Sequence, residues 1–142
     1  ADEINQDRLE SWKYYYENLK DLEEEGLIEL PVIPEGCEHN AHMFYIKLKD
    51  LEERTKFIKY MKENDILTVF HYIPLHSAPA GEKFGRFSDE DEFTTKESEK
   101  LVRLPMYYNL LSVHIKKIVD AINHYFDERG EKNGNINSNT ML

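Results

Sequence analysis

One segment of the 142-residue sequence concentrates side chains that can grip a ligand: residues 70–81, which read FHYIPLHSAPAG. His71, Tyr72 and His76 are planar groups with polar ends, a chemistry suited to a flat or sugar-like ligand. Pro74 and Pro79 restrict the backbone around them. Two interpretations stay open from composition alone: a ligand-binding loop, or a packing loop held by aromatic anchors.

A second segment with the same character is residues 103–109, which read RLPMYYN. It combines a cation, Arg103, with two aromatic hydroxyls, Tyr107 and Tyr108, and an amide, Asn109. Its proline restricts the backbone in the middle of the run. We therefore take Arg103, Tyr107, Tyr108 and Asn109 as a second group of candidate binding residues.

Metal and nucleophile chemistry have little support. His39 and His42 are three residues apart but lead into a predicted strand, where they do not share a face, and a zinc site needs three or four ligands. The one cysteine, Cys37, has no base beside it. Gly81 and Gly85 do not form a phosphate-binding GxGxxG loop. No lysine lies in an apolar pattern that would lower its pKa. We predict no metal site and no covalent catalysis by this chain.

The charge excludes two classes of partner. There are 28 Asp and Glu against 18 Lys and Arg, a net charge of −10 with histidine neutral. Nucleic-acid binding and adsorption to anionic membranes both depend on clustered basic residues, so neither is expected. Apolar residues make up 40% of the chain, without a run long enough for a membrane span or a signal peptide. We predict a cytoplasmic protein.

The elements that must position the candidate residues follow from periodicity. Four helices are predicted: residues 4–24, residues 51–63, a helix from Thr94 to just before Pro105, and a helix from Ser112 onward. The first has an apolar stripe of Leu9, Trp12, Tyr16 and Leu19. Asp50 is expected to cap the second helix, with Leu51 buried and Asn64 taking the left-handed stop, and Thr94 with Glu97 to form the capping box of the third.

Strands are predicted over residues 27–33, 42–48 and 66–70, the last of them buried, with a short extended segment over 104–108. In the second strand, His42, Phe44, Ile46 and Leu48 are expected to share one face. Residues 71–91 have no period and are expected to form a long connection. The order predicts an α+β fold, a small and mostly antiparallel sheet with helices packed on one face.

The organisation along the chain is one domain, residues 1–128, followed by a polar tail, residues 129–142. The tail is asparagine-rich and aperiodic, a composition that buries too little apolar surface to order itself. Because the sequence starts at Ala1 rather than at a methionine and leads directly into a helical pattern, we expect it to be a piece of a longer protein.

Three motifs in order resemble one enzyme family: residues 39–46 (HNAHMFYI), 70–76 (FHYIPLH) and 104–109 (LPMYYN). They are similar to the C-terminal domain of the DegT/DnrJ/EryC1/StrS sugar aminotransferases. The spacing from PAG at residues 79–81 to TTKESE at 94–99 most resembles the dTDP-4-amino-4,6-dideoxygalactose transaminases, which serve bacterial surface polysaccharides such as enterobacterial common antigen. The resemblance covers roughly residues 3–127.

The resemblance implies the small domain of a homodimeric fold-type I enzyme dependent on pyridoxal 5'-phosphate (PLP). The cofactor would lie in a larger N-terminal domain, held by a Schiff-base lysine that this chain lacks, so the chain alone should bind no cofactor covalently. The implied reaction moves an amino group from glutamate to a dTDP-4-keto-6-deoxyhexose. His71, Tyr72, His76, Tyr107, Tyr108 and Asn109 would contact the nucleotide sugar, without being catalytic, and Arg103 would supply positive charge.

The alternative hypothesis is that the chain is not part of an enzyme but an α+β module that docks a partner through its sheet face. The reading frame upstream of Ala1 separates the two. The enzyme requires a long α/β domain with a lysine motif there, and the module does not.

Overall fold

Helices make up most of the ordered secondary structure in the computed structural model, which describes residues 2–88 and 90–138, with side chains described as far as residue 129. The helices are α1 (Asp2–Glu24), α2 (Leu51–Glu63), α3 (Pro79–Phe84), α4 (Thr94–Lys100) and α5 (Ser112–Ser138), with a 3₁₀ turn at Leu75–Ser77. The strands are β1 (Phe44–Lys47), β2 (Val69–Phe70) and β3 (Leu101–Leu104). None of the helices in these ranges is long and apolar enough to cross a membrane.

The three strands form one antiparallel sheet in the order β1-β3-β2. Phe44 pairs with Leu104 and Ile46 with Val102, so four buried side chains lie on one face of the sheet. That face joins buried residues of α1, α2 and α5 in a single core. The predicted α+β class, with a small antiparallel sheet, is confirmed.

The long helix α5 contributes the largest share of that core. It starts at Ser112, the residue predicted to cap it, and its predicted stripe is buried: Ile115, Ile118, Val119, Ile122, Tyr125 and Phe126. The helix runs to Ser138, into the segment for which composition predicts a tail. Residues 139–142 lie outside the described residues, and the division of the chain at residue 128 stays a prediction.

The buried face of α1 differs from the predicted stripe. Tyr15 is fully buried and Leu22 nearly so, whereas Trp12 and Tyr16 pack only at the edge of the core. Tyr15 can be buried because its hydroxyl donates a hydrogen bond to the carbonyl of Pro105, 2.9 Å away. Periodicity does not reveal that partner, so the predicted stripe is wrong at Trp12 and Tyr16, whereas Leu19, also predicted, is fully buried.

Two of the predicted strands are shorter in the structure than the sequence predicts. Residues 27–33 make only a bridge between Glu29 and Lys47, since Pro31 has no N–H to extend a ladder. Residues 66–70 keep only β2, at an edge of the sheet, with Leu67 75% exposed and Phe70 47% exposed. The prediction of a buried strand there is wrong, because an edge strand with one open face tolerates apolar side chains that a buried strand would cover.

The connection over residues 71–91 is more structured than its composition predicts. It contains the 3₁₀ turn and α3, and Pro79 occupies the first turn of α3, where its missing N–H costs nothing. These two turns pack so tightly that a Cβ atom on Gly81 would lie 1.6 Å from the carbonyl oxygen of Leu75. Helices this short have no apolar stripe, which is why periodicity misses them.

The third predicted helix is too long. The helix α4 ends at Lys100, and residues 101–104 form the central strand instead of the expected segment over 104–108. The expected capping box at Thr94 is also absent: Phe93 takes the cap position, and the Asp91 carboxylate accepts from the backbone N–H of Thr95. Strand pairing on both sides of β3 outweighs the local helical pattern.

Of the three predictions made for α2, one is confirmed and two are wrong. Asp50 caps it as expected, accepting from the N–H of Glu53 at 2.9 Å. Leu51, expected to be buried, is 42% exposed, because it lies on the solvent side of the first turn. The left-handed residue after the helix is Asp65 (φ 60°) rather than Asn64.

Candidate functional site

The face of the sheet opposite the core carries a row of half-buried side chains across all three strands. Arg103 in the central strand pairs with Tyr45 on one side and with Val69 on the other. Directly paired residues of antiparallel strands project to the same face. The strand alternation that buries Phe44 and Ile46 therefore directs Tyr45 and Arg103 to the other face, where both keep partial exposure.

His71 and Tyr72, which follow β2 directly, join this row. Their rings meet edge to face, with centroids 4.5 Å apart. The Arg103 guanidinium carbon lies 5.8 Å from the centroid of the Tyr72 ring, within cation–π range. The structure thus brings together residues from the two candidate segments, which lie more than 30 positions apart in the sequence. We call His71, Tyr72 and Arg103 the sheet-face cluster.

Two nitrogens in the sheet-face cluster are buried without a hydrogen-bond partner: Nδ1 of His71 and Nε of Arg103. Burial lowers the pKa of His71, and the positive charge of Arg103 and the proximity of His42 lower it further. Among residues 2–88 and 90–129, Arg103 pairs with no carboxylate. A buried polar atom without a hydrogen-bond partner costs stability, so both nitrogens keep unused hydrogen-bonding capacity among the described residues.

His76 lies in a separate cluster. Its Nε2 is 2.9 Å from Oδ2 of Asp91 and 3.3 Å from Oγ1 of Thr95, and its ring packs against Phe87 with centroids 4.5 Å apart. Hydrogen bonds from the Thr95 hydroxyl and backbone, together with the adjacent imidazole, hold the pKa of Asp91 below its ordinary value. We call His76, Asp91 and Thr95 the loop cluster.

The candidates at residues 107–109 lie at a third location, against the N-terminal turns of α1. The Tyr108 hydroxyl donates to Glu3 at 3.0 Å, and the backbone N–H of Asn109 donates to Asp7 at 2.8 Å. Asn109 has a left-handed backbone (φ 64°), which asparagine tolerates better than most residues. Tyr107 lines a cleft of about 500 Å³ together with Leu67, Pro105, His114 and Ile118.

Sequence reasoning misses Tyr45 in the row on the sheet face, and both Asp91 and Thr95 in the loop cluster. Tyr45 is predicted only as a side chain on the outer face of its strand, and its register with Arg103 depends on strand pairing, which no local pattern encodes. Asp91 is not singled out at all, because it lies two positions before the cap residue Phe93, where the capping preference does not apply. His42, expected on the buried face, is exposed because left-handed backbone at Ala41 (φ 48°) interrupts the alternation just before β1.

The described residues do not fit a resident metal or a covalently held aldehyde cofactor. They contain no group of three or more metal-ligating side chains. A Schiff-base lysine needs a lowered pKa, but ion pairs with Glu97 and Glu29 raise the pKa of the partly buried Lys47. Lys13, Lys20, Lys56, Lys59 and Lys116 sit in exposed pairs on helix surfaces.

Comparison with known proteins gives a consistent match. The model of the DegT/DnrJ/EryC1/StrS aminotransferase family matches residues 1–123. The dTDP-3-amino-3,6-dideoxy-alpha-D-galactopyranose transaminase of Aneurinibacillus thermoaerophilus is 30% identical over 127 residues, 87% of this chain and 32% of that protein.

Solved structures agree on the fold. NtdA from Bacillus subtilis, with bound cofactor PMP, superposes with a TM-score of 0.72 at 25% identity over 85% of this chain and 28% of its own. The aminotransferase TlmJ from Streptoalloteichus hindustanus gives 0.76 at 16% identity, over 88% and 32%. This chain therefore spans about a third of the length of the proteins that it matches.

Proposed function

We propose, from the premise that this chain belongs to the DegT/DnrJ/EryC1/StrS aminotransferase family, that it is the C-terminal small domain of a sugar-nucleotide aminotransferase. The complete enzyme would use PLP, with its lysine in the two thirds of the protein that this chain does not span, and would act in the cytoplasm as a homodimer. Its reaction would transfer an amino group from glutamate to a dTDP-4-keto-6-deoxyhexose for a bacterial surface polysaccharide.

The sheet-face cluster is the observation that carries this proposal for the chain itself. Arg103 brings a positive charge, with no carboxylate partner among the described residues, to the centre of the half-buried sheet face. A nucleotide sugar carries a diphosphate, and a guanidinium binds phosphate oxygens through paired hydrogen bonds. A chain with a net charge of −10 repels an anionic substrate, and the positive charge of Arg103 offsets this repulsion locally.

The aromatic members of the cluster suit the uncharged parts of such a substrate. Tyr72 is 67% exposed, so most of its ring is open to stacking. The lowered pKa of His71 keeps its imidazole neutral near pH 7, with one nitrogen able to accept a hydrogen bond from a sugar hydroxyl. We assign His71, Tyr72 and Arg103 to substrate contact. His76, Tyr107, Tyr108 and Asn109 are further proposed contacts, outside the sheet-face cluster.

The PLP chemistry itself, in which the cofactor acts as an electron sink, belongs to the rest of the enzyme. The residues of this chain bind and orient the substrate and shield the pocket from water. The ion pairs that raise the pKa of Lys47 support this division of roles.

Calorimetric titration of the complete enzyme with a dTDP-sugar tests the proposal. Arg103→Gln should weaken binding by about tenfold or more, since a hydrogen bond to a charged group is worth about 1.5–3 kcal/mol. Lys59→Gln is the charge control, because Lys59 is 77% exposed on α2. If Arg103→Gln binds the dTDP-sugar as tightly as the parent protein, Arg103 does not contact it. If the parent protein binds no sugar nucleotide, the non-enzymatic docking module becomes the better interpretation.

A further inference from the structure

The loop cluster carries an arrangement that the proposed contacts do not explain. The Asp91 side chain accepts from the Thr95 backbone N–H at 3.2 Å and from the Thr95 hydroxyl, and it faces His76 Nε2 at 2.9 Å. The side chains of His76 and Asp91 are each only 19% exposed. A carboxylate that receives three hydrogen bonds in a half-buried position is held in one orientation.

The hydrogen-bond chemistry of this arrangement determines the state of the imidazole ring. Hydrogen bonds from Thr95 and the neighbouring His76 hold the pKa of Asp91 below its ordinary value, so the carboxylate is ionised near pH 7. An ionised carboxylate only accepts hydrogen bonds. The hydrogen must therefore be on Nε2 of His76, and in the neutral ring Nδ1 is then an acceptor.

The same contacts hold the loop as a whole. His76 lies in the 3₁₀ turn, which packs against α3 at Gly81, and its ring rests on Phe87. Asp91 lies three residues before α4 and Thr95 in its first turn, and α4 leads directly into β3 and Arg103. The hydrogen bonds thus join the loop that begins with His71 and Tyr72 to the strand that carries the third member of the sheet-face cluster.

We propose that Asp91 and Thr95 are positioning residues: they hold the His76 ring with its Nε2 proton on Asp91, so that Nδ1 is presented as an acceptor for a hydroxyl of the substrate. This inference rests on the proposed function in one respect only, the identity of the group that Nδ1 meets. The orientation of the ring is a property of this chain and can be measured without substrate.

Nuclear magnetic resonance of the histidine side chains in the 142-residue chain is the first experiment. The expected spectrum shows His76 as the Nε2–H tautomer with a slowly exchanging ring proton. Asp91→Asn, which keeps an oxygen for the Thr95 N–H, should speed exchange of that proton about tenfold or more, because a neutral acceptor holds it less strongly. Thr95→Val should also speed exchange, and Thr95→Ser should behave like the parent.

A second histidine–carboxylate pair provides the matched control. His124 Nε2 lies 3.2 Å from Glu128 on α5, but these side chains are 65% and 45% exposed. Glu128→Gln should leave the exchange of the His124 ring proton almost unchanged, since water competes for an exposed pair. Backbone amide spectra confirm that each variant is folded. An Nδ1–H tautomer at His76, or an Asp91→Asn variant that exchanges like the parent, overturns the inference.

Kinetics of the complete enzyme distinguish this inference from the proposed function. Asp91→Asn should raise KM for the nucleotide sugar several-fold with little change in the reaction with the amino donor, and Thr95→Ser should keep the parent value. If the ring is held as the spectra predict but KM does not change in Asp91→Asn, His76 does not bind substrate. That result removes the positioning role while leaving the family assignment intact.

Discussion

Replacing Ile122 by alanine tests whether α5 holds the sheet and the other helices together. Ile122 is 0% exposed and belongs to the single core that also contains the buried face of the sheet. The substitution removes three carbon atoms, worth about 0.8 kcal/mol each or about 2.4 kcal/mol in transfer free energy. The cavity left behind adds to this cost, for a total within about 2–5 kcal/mol.

Urea unfolding followed by circular dichroism measures this loss directly. A domain of this size has a free energy of unfolding of about 5–15 kcal/mol, so the midpoint should fall visibly in Ile122→Ala. Val113→Ala is the matched control on the same helix, because Val113 is 65% exposed. Its effect should stay within about 0.5 kcal/mol. If both variants lose equally little, the register of α5 is wrong and its stripe does not face the core.

Three further predictions concern the cofactor, the loop cluster and the loop itself. The chain alone should form no borohydride-reducible adduct with PLP, because two partly buried lysines, Lys47 and Lys100, are both paired with Glu97, and ion pairs raise the pKa of Lys47. Mass spectrometry after reduction checks this, and stoichiometric labelling of one lysine would contradict it. The folded-state pKa of Asp91 lies below its unfolded value, so Asp91 stabilises the fold above about pH 4 and this contribution is lost as the pH falls through the folded-state pKa. Asp91→Asn should therefore flatten the acid limb of the stability curve, and an unchanged limb would show that the carboxylate is not held. Gly81→Ala should increase hydrogen exchange over residues 75–84, since its Cβ would lie 1.6 Å from the Leu75 carbonyl oxygen; Ala80→Ser, at an exposed neighbouring position, should not.

The elements that could be predicted are those with long, one-sided patterns. The stripe of α5 and the Asp50 cap of α2 are local signals, read within a few turns of helix, and both are confirmed. The central strand β3 could not be found this way. Its four residues follow a helical pattern without a break, and they form a strand because partners from distant segments lie on either side.

In the candidate site too, the residue types could be predicted from the sequence, whereas their spatial assembly could not. Residue types alone point to His71, Tyr72 and Arg103, because imidazole, phenol and guanidinium groups can each bind a polar ligand. Their assembly into one cluster depends on the sheet register, which places Arg103 beside β2. The hydrogen-bond partner of His76 cannot be predicted for the same reason. Asp91 is 15 residues away in the sequence, and it contacts the His76 ring only because the intervening segment folds back through a 3₁₀ turn and α3.

The central claim is that the loop after β2 binds the nucleotide sugar, and single-turnover kinetics of the two half-reactions in the complete enzyme test it most directly. Because Tyr72 is 67% exposed, Tyr72→Ala should hardly change the melting temperature. It should slow the half-reaction with the nucleotide sugar by about 2- to 150-fold at subsaturating substrate, corresponding to the loss of about 0.5–3 kcal/mol of stacking or hydrogen bonding. The half-reaction with the amino donor should keep its rate. Equal losses in both half-reactions, accompanied by a fall in melting temperature, would show instead that the loop serves packing and does not bind the sugar.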